Sequence, residues 1–277
     1  MGSRLNQAKN RRELSRKLID LSEGLFSHAF DAALWLSVYI VALSGVSKGG
    51  RRSAWWAGDE TDRFLEDINY KAIKNAIITA TKKGYLNSVK RNAPPEITEA
   101  GKRRLDEFIP LYDEKRVWDG QLHLVTYDIP ESKRQDRNVL RRHLIRLGCA
   151  MLQESVWVTP YNPIDTLRSF IDKEGLTGTV IVSALGKDSS IGEEDLVSLL
   201  VRIYGLKTLN IRYTTWVGVY RKNDIDQGGL IAYLSILKDD PQLPFELLPS
   251  WWKGDEAYTR VASTLTKLSM AMRPHFS

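Results

Sequence analysis

The 277-residue chain is long enough for two or three compact units, and its apolar (43%) and charged (27%) fractions are those of an ordinary soluble protein. The net charge of +6 is unevenly placed: residues 1–18 carry +5, residues 69–104 carry +7, and the remainder is acidic by about −6. Basic charge gathered in one half invites a polyanion to a particular face, and nucleic acid is the natural candidate. The single cysteine, Cys149, excludes an intramolecular disulfide framework, fits a reducing cytoplasm and reads as a small core residue. The apolar run Ala32–Leu43 is shorter than the roughly 20 residues of a membrane span and follows Asp31, so it reads as a buried helix, with no membrane partner expected.

In chain order, Arg11–Leu25 has the leucine spacing of a basic amphipathic helix, and Phe30–Ser44 is a second helix, apolar nearly all round. A loop at Lys48–Arg52 precedes a short helix over Thr61–Asp67 and a longer one over Tyr70–Lys83 that stops at Gly84. Short extended runs at Tyr85–Lys90 and Pro95–Thr98 are joined by Arg91–Pro94, and Glu99–Leu111 is helical again. Three helices followed by a basic hairpin are the order of a winged helix-turn-helix. The Tyr70 helix places Ile73, Ala76, Ile77 and Ala80 on one stripe. Its opposite face carries Lys71, Lys74, Asn75 and Lys82, donors suited to phosphates and base edges, with Ile78 an apolar exception among them. Tyr70 at the start of that helix, Lys90 and Arg91 at the hairpin tip, and Lys102 and Arg103 beside Arg104 complete the candidate DNA-binding set for double-stranded DNA. A solvated lysine face is the bland alternative. Gly84-Tyr85-Leu86 followed by Ile97-Thr98-Glu99-Ala100-Gly101 also resembles the end of many bacterial winged-helix domains.

After Trp118-Asp119-Gly120, Gln121–Tyr127 alternates as an inner strand, Lys133–Leu147 forms a helix, and Ala150–Thr159 returns as one strand or a tight pair. Pro163–Glu174 is helical and Thr179–Leu185 is a strand, which makes a ferredoxin-like α+β unit. The first helix of that unit turns Val139, Leu140, His143, Leu144 and Leu147 inward and Arg134, Arg137, Arg141, Arg142 and Arg146 outward. His123 and His143 read as packing residues. The run from the first strand through Tyr127-Asp128-Ile129-Pro130 to Leu152–Val158 resembles the domain shared by the small CRISPR-associated endonucleases and by PaaX-type transcriptional regulators. The endonuclease resemblance implies that Asp128 would be a catalytic, Mg²⁺-associated carboxylate, one from each protomer of a pair. The other reading, which is the expectation here, is that Asp128 caps the helix beginning near Pro130.

The remaining chain runs through a helix over Leu206–Tyr220, a loop over Asn223–Gly229 and a helix over Leu230–Leu237. It then reaches Asp240-Pro241-Gln242-Leu243-Pro244-Phe245-Glu246-Leu247-Leu248-Pro249-Ser250-Trp251-Trp252-Lys253-Gly254 and a last helix, Asp255–Met272. That proline- and leucine-rich run closely resembles the C-terminal signature of PaaX-family repressors. Its aromatic residues Phe245, Trp251 and Trp252 are expected to anchor on neighbouring helices. The resemblance implies a cytoplasmic, homodimeric transcriptional repressor under small-molecule, acyl-CoA-type effector control, with no catalytic residue and no cofactor. The expected organisation is α+β: a basic N-terminal helix (1–27), a winged helix-turn-helix (28–116), a ferredoxin-like domain (117–190) and a C-terminal helical domain (191–277). A metal-dependent endonuclease or CRISPR-associated accessory protein acting through Asp128, and a non-catalytic DNA-binding adaptor, are the alternatives.

Overall fold

The computed structural model describes residues 25–43, 70–87, 96–186, 194–221 and 225–272. The expected helices over Arg11–Leu25 and Thr61–Asp67, and the loop at Lys48–Arg52, fall essentially outside them. The described residues separate into two compact units, each discontinuous in sequence. The first contains residues up to Tyr112, Arg212–Asp240 and those from Lys253, and the second contains Asp113–Ile211 and Pro241–Trp252. Contact thus does not follow the chain-order division.

In the first unit, α1 (Ala29–Leu43), α2 (Tyr70–Lys82) and α3 (Glu99–Asp106) are joined by helices from the far end of the chain. These are the end of α7 (Leu206–Val219), then α8 (Gln227–Asp239) and α9 (Gly254–Met272). The all-round apolarity of α1 is accounted for by its neighbours, because it packs against α2, α3 and α9. Its Leu34, Trp35 and Val38 are buried, and the buried Ser37 hydroxyl donates to the Ala33 carbonyl at 2.8 Å. α7 buries Leu206, Leu209, Tyr213 and Trp216 at helical spacing, with Val217 and Tyr220 half-buried. Two of these find polar partners, the Trp216 indole N–H donating to the Gly229 carbonyl at 2.7 Å and the Tyr213 hydroxyl to Asp240 at 2.8 Å. Arg260 of α9 donates to the Val217 and Tyr220 carbonyls where α7 ends, satisfying acceptors that a helix terminus leaves open.

Two boundaries differ from the sequence expectation. α3 ends at Asp106 rather than Leu111, since Pro110 lacks an N–H and disfavours helical geometry at Ile109. α8 begins at Gln227, inside the expected loop, because the Asp226 side chain caps it by accepting from Gly229 N at 2.7 Å.

The second unit is a split β-α-β fold of four antiparallel strands in the order β2-β3-β1-β4. The strands are β1 (Leu122–Asp128), β2 (Ala150–Gln153), β3 (Val156–Thr159) and β4 (Thr179–Leu185). α4 (Arg134–Arg146), entered through a 3₁₀ turn at Glu131–Lys133, and α5 (Ile164–Glu174) cover one face. In register, Val125 lies opposite Trp157 on one side and Val182 on the other. Val125 and Trp157 join Tyr127, Leu140, Leu144 and Leu167 in the core. Burial also pushes the Cys149 thiol up to about 11, consistent with a packing role. His123 is buried with Nε2 3.3 Å from Asp119, and the His143 ring stacks on Phe170 at 3.6 Å. A further helix that the sequence reading did not assign, α6 (Leu196–Ile203), is capped by Asp195 and leads to Tyr204. The Tyr204 hydroxyl lies 2.8 Å from the Gly148 carbonyl and 3.1 Å from that of Val158, and burial raises its pKa. Tyr204→Phe keeps the ring and removes this link, so it should lower stability by about 1–3 kcal/mol in chemical denaturation.

The proline-rich run belongs to the second unit, and its anchor is a side chain the sequence reading passed over. Arg116 is 1% exposed, with φ of +32°. It donates from Nε to the Asp113 carbonyl at 3.0 Å and from an Nη to the Leu243 carbonyl at 3.3 Å, and it lies over the Phe245 ring. Gln242 is held from both sides, accepting from Asp113 N at 2.7 Å and, through its carbonyl, from the Tyr161 hydroxyl at 2.7 Å. Of the expected aromatic anchors only Trp252 is buried. Phe245 and Trp251 are 38% and 40% exposed.

Candidate nucleic-acid interface

α2 is amphipathic because Ala76, Ile77 and Ala80 recur at helical spacing and bury against the unit's core. Lys74 and Lys82 are left exposed and Asn75 half-buried. Ile78, the apolar exception, is 43% exposed on the same side. Tyr70 and Lys71 lie in the first turn of α2, with side chains outside the described set, and Lys90 and Arg91 fall outside the described residues.

The segment after α2 is locked by backbone geometry. Gly84 adopts φ of +75°, a conformation open to glycine at low cost, and lets Tyr85 N donate back to the Ala80 carbonyl at 2.9 Å. Leu86 then pairs with Ile97 in a single antiparallel bridge, flanked by Asn87 N to Glu96 O at 2.8 Å and Thr98 N to Tyr85 O at 3.0 Å. Thr98 caps α3: its hydroxyl oxygen accepts from Gly101 N at 3.1 Å and donates to the Gly84 carbonyl at 2.7 Å. Gly101 closes the joint, because a Cβ there would collide with the Tyr85 carbonyl oxygen. The spacing from Gly84 to Gly101 in the sequence therefore records one packed corner, where the end of α2 meets the start of α3.

Of the basic residues on α3, Arg103 is exposed, and Lys102 pairs with Glu99 at 2.9 Å. Arg104 is not a surface cation. Its guanidinium grips the fully buried Asp31 of α1 through Nε at 3.0 Å and an Nη at 3.3 Å, and it bonds Glu107 at 3.1 Å. It also covers the Phe108 ring at 4.1 Å and lies near that of Phe30. The bond to Asp31 holds its pKa above the ordinary arginine value.

In the second unit, two of the expected outward arginines of α4 also prove structural. Arg141 donates to the Tyr127 hydroxyl and to Glu154, and Arg137 to the Ile129 carbonyl at 2.9 Å and to Glu131. Asp128 is exposed at the end of β1, opposite Thr179. It does not cap a helix: α4 starts at Arg134, too far along the chain, and its N-cap Lys133 makes no side-chain cap bond. Among the described residues no cluster of three or more acidic, histidine or cysteine groups is arranged to hold a metal ion.

A family model described as the PaaX protein central Cas2-like domain matches residues 115–197. The Escherichia coli (strain K12) transcriptional repressor PaaX is 23% identical over 254 residues, covering 80% of this chain and 79% of its own. The chain is PaaX-like. An uncharacterized protein from Mycobacterium tuberculosis has a similar fold, with a TM-score of 0.53 and 20% identity over 86% of the PaaX-like chain and 95% of its own.

The contrast between neighbouring arginines is testable. Arg104→Ala leaves the buried Asp31 carboxylate only the His28 ring at 3.4 Å and should cost about 3 kcal/mol in thermal or urea unfolding, most of it recovered in the Asp31→Leu/Arg104→Met double variant. Arg103→Ala should change stability by less than about 0.5 kcal/mol.

Proposed function

We propose that the protein is a DNA-binding transcriptional regulator, a cytoplasmic homodimeric repressor that contacts duplex DNA through a winged helix-turn-helix and carries out no chemistry. The observation that carries this reading is the α2 face, where Lys74 and Lys82 stay free for phosphates while the Gly84–Gly101 corner fixes α2 against α3. The PaaX-like character of the chain supports it, since the curated relative is named a transcriptional repressor. No helix among the described residues is long and apolar enough to cross a membrane.

Dimerisation is supported by β4, which leaves one sheet edge without a partner strand among the described residues and presents Ile181 at 55% exposure. A two-fold pair would offer two reading helices to a palindromic site. A small-molecule effector belongs to the same proposal, and no cofactor does.

Replacing Lys74, Lys82 and Arg103 together by alanine should weaken binding to operator-length duplex and lower the slope of log affinity against log salt by about 0.9 per lost phosphate contact. Sedimentation of the wild-type protein at micromolar concentration should give twice the chain mass. Unchanged affinity and slope in the triple variant would remove the interface, and a monomer alone and on DNA would remove the dimer.

A further inference from the structure

The first unit contains a half-open cavity of about 620 Å³, bordered by the end of α3 and the segment following it, α1, α8 and α9 from Tyr258 to Met270. That volume is within the range of small-molecule sites, roughly 300–1,000 Å³. Its apolar wall is built by Trp35, Leu234 and Leu268, all nearly inaccessible to solvent. A second wall is aromatic: Tyr112 and Tyr258 stack with ring centroids 3.7 Å apart and planes 8° from parallel. The Tyr112 hydroxyl donates to Asp255 at 2.8 Å, which fixes that ring.

The electrostatics of the lining select among ligands. Asp106 is the one charged residue among the described lining residues, and it is the last residue of α3, where the carbonyl end of the helix adds negative potential. No lysine or arginine is among them. A carboxylate or phosphate placed here would meet Asp106 and find no cation among the described lining residues. A cationic amine would find Asp106 and the negative faces of the tyrosine rings. The described lining residues supply hydroxyls from Thr266 and Ser269 but no positive charge, and the rest of the wall suits a flat apolar body.

From this arrangement we infer that the cavity is a binding site for an aromatic amine, its ring system packed on the tyrosine pair and its ammonium directed to Asp106. A short path leads from the site toward the DNA-reading face: Asp106 is two residues from Arg104, which is paired with Asp31 of α1, and α3 is tied to the end of α2 by the Gly84–Gly101 corner. The regulatory consequence rests on the regulator reading above, whereas the binding does not.

The experiment uses the full-length protein and two matched probes, 2-(2-naphthyl)ethylamine and 3-(2-naphthyl)propionate, in isothermal titration calorimetry without DNA. The amine should bind at least about tenfold tighter than the acid. Asp106→Asn, a change at an exposed position, should weaken the amine about five- to tenfold and bring the two probes to within about threefold. Ala262→Trp, which fills the cavity, should abolish binding of the amine, and Leu265→Phe provides a milder filling variant should the first fail to fold. Equal affinity for the two probes, tighter binding of the acid, no binding at millimolar amine, or an amine affinity unchanged in Asp106→Asn would overturn the assignment. A gel-shift arm then separates the two claims: amine binding that leaves DNA affinity unchanged rejects the coupling but keeps the site, whereas failure to bind DNA at all rejects the regulator reading instead.

Discussion

The first unit depends on one ion pair. Asp31 is fully buried in α1, an otherwise apolar helix, and a carboxylate there is tolerable only if a cation reaches it. Arg104 does so with two nitrogens, and in doing so fixes α3 against α1. Because the Gly84–Gly101 corner ties α3 to the end of α2, the orientation of the exposed lysine face follows from a contact well inside the molecule. A purely apolar substitute could match the energy, but a two-nitrogen grip on one carboxylate also specifies the rotation of α3 about its own axis.

Most of the architecture was legible from periodicity and punctuation. Strand alternation and the position of Gly148 delimited the four strands and two covering helices of the second unit almost residue for residue, because these elements are short, strongly patterned and connected locally. What stayed hidden was set by tertiary partners. Arg104 and Arg103 are adjacent and chemically identical, and nothing local says that one meets a buried carboxylate 73 residues away. Arg116 is similarly unreadable, since its acceptor at Leu243 lies 127 positions along the chain. α6 carried the standard signal of an aspartate before an apolar run, and that signal could have found it. Asp128 failed as a cap for a local reason: the chain needs Ile129, Pro130 and a 3₁₀ turn before α4 can begin.

The proline-rich run shows why a linear motif can be specific without being a site. Its prolines restrict the backbone, but the fixed points are Arg116, Tyr161 and Asp113, which bind the Gln242–Leu243 carbonyls and the Gln242 amide. Asp113 is prepared for this role: the Lys115 and Arg116 backbone N–H groups bond its carboxylate and hold its pKa below the usual range. The spacing of the motif thus encodes where the chain is fastened as it passes from one unit to the other.

The discontinuity of the first unit has a consequence for biosynthesis. α1 is buried partly against α9, which emerges from the ribosome some 230 residues later. At translation speeds of about 5–20 residues per second, that apolar helix waits on the order of ten to fifty seconds for α9. During that interval the part of α1 that α9 covers stays open, so chains cut short before α9 should be clients for holdase chaperones and proteases. The stability of the first unit is therefore tied to the synthesis of α9.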